Sequence, residues 1–243
     1  MLKIWEVFPK LFALVLASHR TFKMEGTGHP FDHTLQVAQV AAFIAEDADV
    51  ARLAGAAGLC HNADRLLQQQ RKTSKADSES HVRATMILKE DTTTLIMNWL
   101  DCCGEFTASE KERIVGAVLL HSGPNVEGCD PVLDALQDGD RVVCSMPDTI
   151  MYAAQFWPLP PVDPQWLDTN PDPKVTSYGN PESVLRNLRC REEWLDEKSK
   201  FFVRLPKAKE LMMGYVAFIN GYIERIKTER VKIGLWPYPV ELT

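Results

Sequence analysis

Four residues able to do chemistry, His33, His61, His121 and Asp140, each sit on an otherwise apolar stretch of the 243-residue chain. In HTLQVAQVAAFIAE the positions Val37, Val40, Ala41 and Ile44 follow helical spacing, and four residues back from Val37 lies His33. In VARLAGAAGLCHNADR the run Val50, Leu53, Ala54, Ala57 extends by four to His61, with Asn62 about 100° further round. Ile114, Ala117 and Val118 continue to His121, and the stripe Leu133, Leu136, Val143, Cys144 takes in Asp140. One histidine on such a face is ordinarily a hydrogen-bonded core residue. Four helices that each turn an ionisable group inward say more, because an inward carboxylate is costly to desolvate unless a cation meets it. Asp140 then either pairs with a histidinium or with Arg65, or shares a metal ion with neutral imidazoles. Nitrogen and oxygen donors without a thiolate suit one divalent Mn, Fe, Co, Ni or Zn ion rather than a cysteine zinc cage.

Helices must position these groups. From Asp32 to about Cys144 the chain reads as a helical series, broken at RKTSKADSES and SGPNVEGCDP, with no sustained alternation of period two. Residues 155–181 differ: seven prolines, Trp157, Trp166 and Asn-Pro steps at 170 and 180 make a long structured loop or lid. Its tryptophans either pack on the helical body or stack a ligand's base. Helix resumes with Asn180 as N-cap and Pro181 in first position, and Val184, Leu185, Leu188 and Trp194 supply the apolar side. The last helix carries the stripe Leu211, Tyr215, Phe218, Ile219, Tyr222, Ile226 and stops at Gly234. The expectation is a single all-α domain over 1–243, with a core at about 28–145, the Pro-rich loop at about 155–181 and C-terminal helices at about 182–233.

Composition narrows the function classes. With 45% hydrophobic and 25% charged residues the chain is neither disordered nor fibrous. A net charge of −6 gives no basic footprint, so nucleic acid is not an expected partner. The six cysteines, at 60, 102, 103, 129, 144 and 190, form no CxxC pair and read as reduced thiols of an intracellular protein. The apolar run Leu11 to Ala17 is short for a signal peptide, and no segment approaches the roughly 20 apolar residues of a membrane span, so a cytoplasmic protein without a membrane partner is expected. There is no GxxxxGK[ST], no GxGxxG after a strand, no HExxH and no GxSxG. Cys60 adjoins His61, but helical neighbours point about 100° apart.

The segments HPFDHTLQVAQVA, AGLCHNADR, VLLHSG and LQDGDRVV, in that order, resemble the HD-domain superfamily of metal-dependent phosphohydrolases over roughly Gly28 to Cys144. SVLRNL and the long final helix also resemble single-domain bacterial members. The resemblance implies an HD-domain helical bundle with His33, His61 and Asp140 as ligands to a divalent metal ion. It puts Asn62, as a fourth ligand, where the family carries Asp. An amide oxygen can coordinate but brings no charge and bridges two cations poorly, which points to at most one metal. His29, His81 and His121 fall where many members place further histidines, used for phosphate contacts or a second metal.

The implied reaction is hydrolysis of a nucleotide or other small phosphate ester by a metal-activated water. In it Arg65 and His29 bind the phosphate, His121 offsets charge on the reacting group and Asp64 orients the water. The alternative is a binding or regulatory protein that keeps the fold and a metal or phosphate ligand but has lost turnover with the carboxylate at position 62. A metal-free helical interaction protein is a third reading.

Overall fold

Residues 2–27, 29–74, 87–148, 150–151, 159–163 and 182–236 are described by the structure, a computed structural model, and among them all regular secondary structure is helical. The chain divides into two compact units, Met1–Val143 and Cys144–Thr243. The first holds α1 (Ile4–Val7), α2 (Pro9–Thr21), α3 (Phe31–Ile44), α4 (Ala48–Cys60), α5 (Ala63–Ser74), α6 (Lys89–Cys103), α7 (Ala108–Leu120) and α8 (Pro131–Val143). The second holds α9 (Val184–Arg189), a 3-10 turn (Cys190–Leu195) and α10 (Pro206–Lys232).

The helices of the first unit begin where side chains satisfy their free amides. Asp47 accepts from the Asp49 and Val50 N–H groups to start α4, and Thr107 forms a reciprocal capping box with Glu110 at α7. Asp130 caps α8 ahead of Pro131 by accepting from Val132 N–H at 2.9 Å. Its carboxylate also takes a fork from Arg113, with Nε at 2.6 Å and Nη2 at 2.9 Å, which holds its pKa below the usual carboxylate range. Asp130→Ala is therefore expected to cost about 1–2 kcal/mol in urea melts at neutral pH. The stabilisation is present above the ordinary carboxylate pKa and lost as pH falls through the lowered folded value, so wild type and variant should converge in acid.

Three helices meet through small residues. A Cβ on Gly58 of α4 would lie 2.4 Å from Ala38 Cα of α3, and one on Gly139 of α8 would lie 3.0 Å from Ala41 Cα. A Cβ on Gly55 would collide with the Ile4 side chain of α1, which is fully buried beneath α4. Leu11 and Val15 of α2 are likewise fully buried, so the N-terminal helices belong to this core.

In the second unit, Ser183 caps α9 by accepting from Arg186 N–H, and Val184, Leu185 and Leu188 pack with Ile219 and Ile223 of α10. The expected start at Asn180 and Pro181 lies outside the described residues, as do Trp157 and Trp166 of the Pro-rich segment. Of that segment residues 159–163 are described, and the Pro160 and Pro161 carbonyls accept from Val184 and Leu185 N–H at 3.0 and 3.2 Å. The expected α10 stripe needs correction. Its buried face is Ala208, Met212, Ile219 and Ile223, whereas Phe218 and Tyr222 are 46% and 39% exposed. Gly234 does follow the helix, at φ +74°, a left-handed conformation open to glycine. No helix among the described residues is long and apolar enough to cross a membrane.

Candidate metal centre

His33, His61 and Asp140 come from α3, the end of α4 and α8, and one donor atom of each lies within 4.8 Å of the others. His61 Nε2 is 3.4 Å from His33 Nε2, and His33 Nε2 is 3.7 Å from Asp140 Oδ1. Ligands about 2.1 Å from a tetrahedral cation stand about 3.4 Å apart, so these edges match a divalent ion with nitrogen and oxygen donors. His61 Nδ1 donates to the Gly58 carbonyl at 2.7 Å, which leaves the Nε2 lone pair for the cluster. The same device recurs on α7, where His121 Nδ1 donates to the Val118 carbonyl at 2.6 Å. Both histidines stand one residue beyond the last turn of their helices. Successive rings run His29, His33, His61, His121, with centroids 5.7, 5.3 and 5.5 Å apart.

The electrostatics favour neutral rings at His61 and His29 beside one carboxylate. Burial drives His61 well below the ordinary imidazole pKa, although Asp140 opposes the shift. Burial, aided by His33 and Arg65, lowers His29 to about 3. Burial also pushes the Asp140 carboxyl up, but His61, His33, His121 and His29 outweigh it and hold the group below its usual range. Neutral nitrogens and an ionised carboxylate are the protonation states that metal ligation requires. Cys60 is fully buried with its thiol pushed up, which disfavours it as a nucleophile.

The remaining expected residues divide. The helix breaks at His61 and Asn62 between α4 and α5, and the Asn62 carbonyl accepts from Leu66 N–H at 3.1 Å. The Asn62 side chain is 3% exposed and donates through Nδ2 to Thr34 Oγ1 at 3.1 Å. Asp64 is placed against Arg65, accepting from its backbone N–H at 2.8 Å, with Arg65 Nε at 3.7 Å. Arg65 also donates to Gln68 Oε1 at 3.1 Å, and its charge acts on His29. His81 lies outside the described residues.

Sequence reasoning missed five polar residues here. Gln137 is fully buried and donates to the carbonyls of Leu120, Gly123 and Pro124 at 3.2–3.3 Å, while Arg141 donates to Asn125 Oδ1 at 2.6 Å. Together they tie the loop after His121 to the Asp140 helix. Asp138, also fully buried, faces Arg141 at 3.6 Å. Thr34 and His19 are fully buried beside Asn62 and His33, and burial together with His33 lowers His19 to about 4. One signal was available for Thr34, which follows His33 directly in sequence.

No protein-family model matches the sequence, and no curated protein matches it. Among solved structures, the chain is similar to the crystal structure of a Lactobacillus plantarum protein determined as a Northeast Structural Genomics target. The TM-score is 0.51 at 15% identity, covering 90% of this chain and 98% of that one. At this identity the likeness is one of helical fold alone.

Proposed function

We propose that the chain is an HD-type, metal-dependent phosphohydrolase of a nucleotide or other small phosphate ester. His33, His61 and Asp140 would hold one divalent Mn, Fe, Co, Ni or Zn ion. The observation that carries this reading is the convergence of two imidazole nitrogens and one carboxylate oxygen, from three helices, within 4.8 Å. When bound, the cation supplies Lewis acidity that acidifies a water and polarises a phosphoryl oxygen.

The chain's own groups bind and orient the ester. One carboxylate against a divalent cation leaves the centre with a net positive charge, which favours an anionic ligand. Arg65, its side chain 43% exposed, is the cation that meets a phosphate, and Asp64, its Oδ2 3.7 Å from Arg65 Nε, is the carboxylate that orients the water. His29 contributes a hydrogen bond and no charge, because its depressed pKa keeps the ring neutral. His121 keeps its proton on Nδ1, against the Val118 carbonyl, so Nε2 is the atom able to accept a proton.

Elemental analysis of purified protein, paired with a phosphate-release screen on wild type, His61→Ala and Asn62→Asp, tests the proposal. About one metal per chain and phosphate release, both lost in His61→Ala, are expected. A wild type that takes up none of the five cations and is inert on the panel overturns it. The Asn62 amide favours a second reading, a protein that binds the ester without turning it over, since position 62 contributes no charge. That reading predicts metal-loaded but inactive wild type, with turnover appearing in Asn62→Asp.

A further inference from the structure

We propose that His19 and Thr34 are positioning residues for Asn62, fixing its carboxamide so that Oδ1, not Nδ2, is the edge left for a ligand. The three side chains come from α2, α3 and the corner between α4 and α5, and none is more than 3% exposed. Asn62 Nδ2 donates to Thr34 Oγ1 at 3.1 Å, and Thr34 Oγ1 lies 3.4 Å from His19 Nε2.

The polarity of this chain follows from which groups can give a proton. A carboxamide nitrogen only donates, so Thr34 Oγ1 accepts from Asn62. Among the described residues His19 Nε2 is the acceptor within reach of the hydroxyl proton, and the inference assigns the proton to it. That nitrogen is therefore the bare one, and the His19 ring proton sits on Nδ1, which is buried without a hydrogen-bond partner among the described residues. An aliphatic side chain would fill the His19 position without that unmet donor. What the histidine adds is a fixed direction for the Thr34 hydroxyl.

The two edges of a carboxamide have opposite chemistry: the oxygen accepts hydrogen bonds and coordinates cations, whereas the amino group repels them. With Nδ2 committed to Thr34, Oδ1 takes no hydrogen bond from a described residue, one position after His61. The wiring also distinguishes an amide from a carboxylate. An ionised aspartate at position 62, the form that would ligate a cation, cannot donate to Thr34, so Thr34 would have to donate to it and accept from His19. That reversal moves the His19 ring proton from Nδ1 to Nε2.

The part of the inference that concerns a cation rests on the proposed metal centre; the hydrogen-bond wiring does not. Two-bond nitrogen–proton correlation spectra of isotopically labelled full chain, without added metal, read the His19 tautomer in wild type and Asn62→Asp. The expected result is Nδ1–H in wild type and Nε2–H in the variant; Nε2–H in wild type, or no change in the variant, overturns the inference. Cobalt(II) titrations of wild type, Thr34→Ser and Thr34→Val form the second arm. Thr34→Val is expected to bind about tenfold more weakly, with Thr34→Ser restoring affinity through its hydroxyl. Equal affinity in Thr34→Val overturns the positioning role. Should Thr34→Val fail to fold, or wild type bind no cobalt, the tautomers decide the wiring; lack of cobalt binding counts against the metal centre alone.

Discussion

Gly58→Ala is expected to lower stability by about 3 kcal/mol or more, equivalent to a melting temperature roughly 6–12 °C lower for a chain of this size. The sign is the informative part. In an open helical position the same change stabilises by about 0.5–1 kcal/mol, because alanine is the better helix former. Gly116 of α7 is such a position, with nothing within 4 Å of an added Cβ, and Gly116→Ala serves as the control. At Gly58 the added carbon lands 2.4 Å from Ala38 Cα and 2.7 Å from Ala38 N. Backbone cannot rotate away as a side chain can, so α3 and α4 must separate or one must distort. Either response displaces His61, three residues on, whose Nδ1 is held by the Gly58 carbonyl at 2.7 Å. Metal uptake should therefore fall along with the melting temperature. A Gly58→Ala protein that melts with wild type in calorimetry contradicts the close approach of the two helices.

That glycine shows how far the sequence could be read. His33, His61, His121 and Asp140 were legible because each extends an apolar stripe by a helical step, and the fold brings all four into one neighbourhood. Gly58 was not, since a glycine in an alanine-rich run gives no sign of what lies against it. Asp138 was hidden for a related reason: α8 is enclosed on nearly every side, so a rule that looks for one apolar face discounts a buried acid on another. On α10 the large aromatics drew the stripe, yet Phe218 and Tyr222 are exposed while the more compact Met212, Ile219 and Ile223 fill the interior. Asp64 shows what spacing alone leaves open. Once the helix turns at Asn62, a carboxylate two residues on belongs to a new helix, where its Oδ2 lies 3.7 Å from Arg65 Nε.

Asp140→Asn is expected to abolish the response to divalent cations. A cation supplied at about a hundredfold above its dissociation constant stabilises the folded state by about 2.7 kcal/mol, which raises the melting temperature by roughly 5–11 °C at this chain length. Asparagine keeps the shape and one oxygen of the aspartate but removes the single negative charge of the cluster formed with His33 and His61. A divalent ion then meets only neutral donors, and both metal affinity and phosphate release should drop by more than the 10–100-fold typical of losing a ligand's supporting partner. Chelator treatment should bring wild type to the same unresponsive state. The competing role, an ion pair between Asp140 and a protonated His33 at 3.7 Å, predicts a different pattern. Removing one partner of a buried pair costs about 3–5 kcal/mol with no metal present, and Asp140 is only partly enclosed, its side chain 24% exposed, so the loss would fall below that range. The two roles separate on adding a cation: ligation raises the stability of wild type and not of Asp140→Asn, whereas pairing makes added cations irrelevant to both.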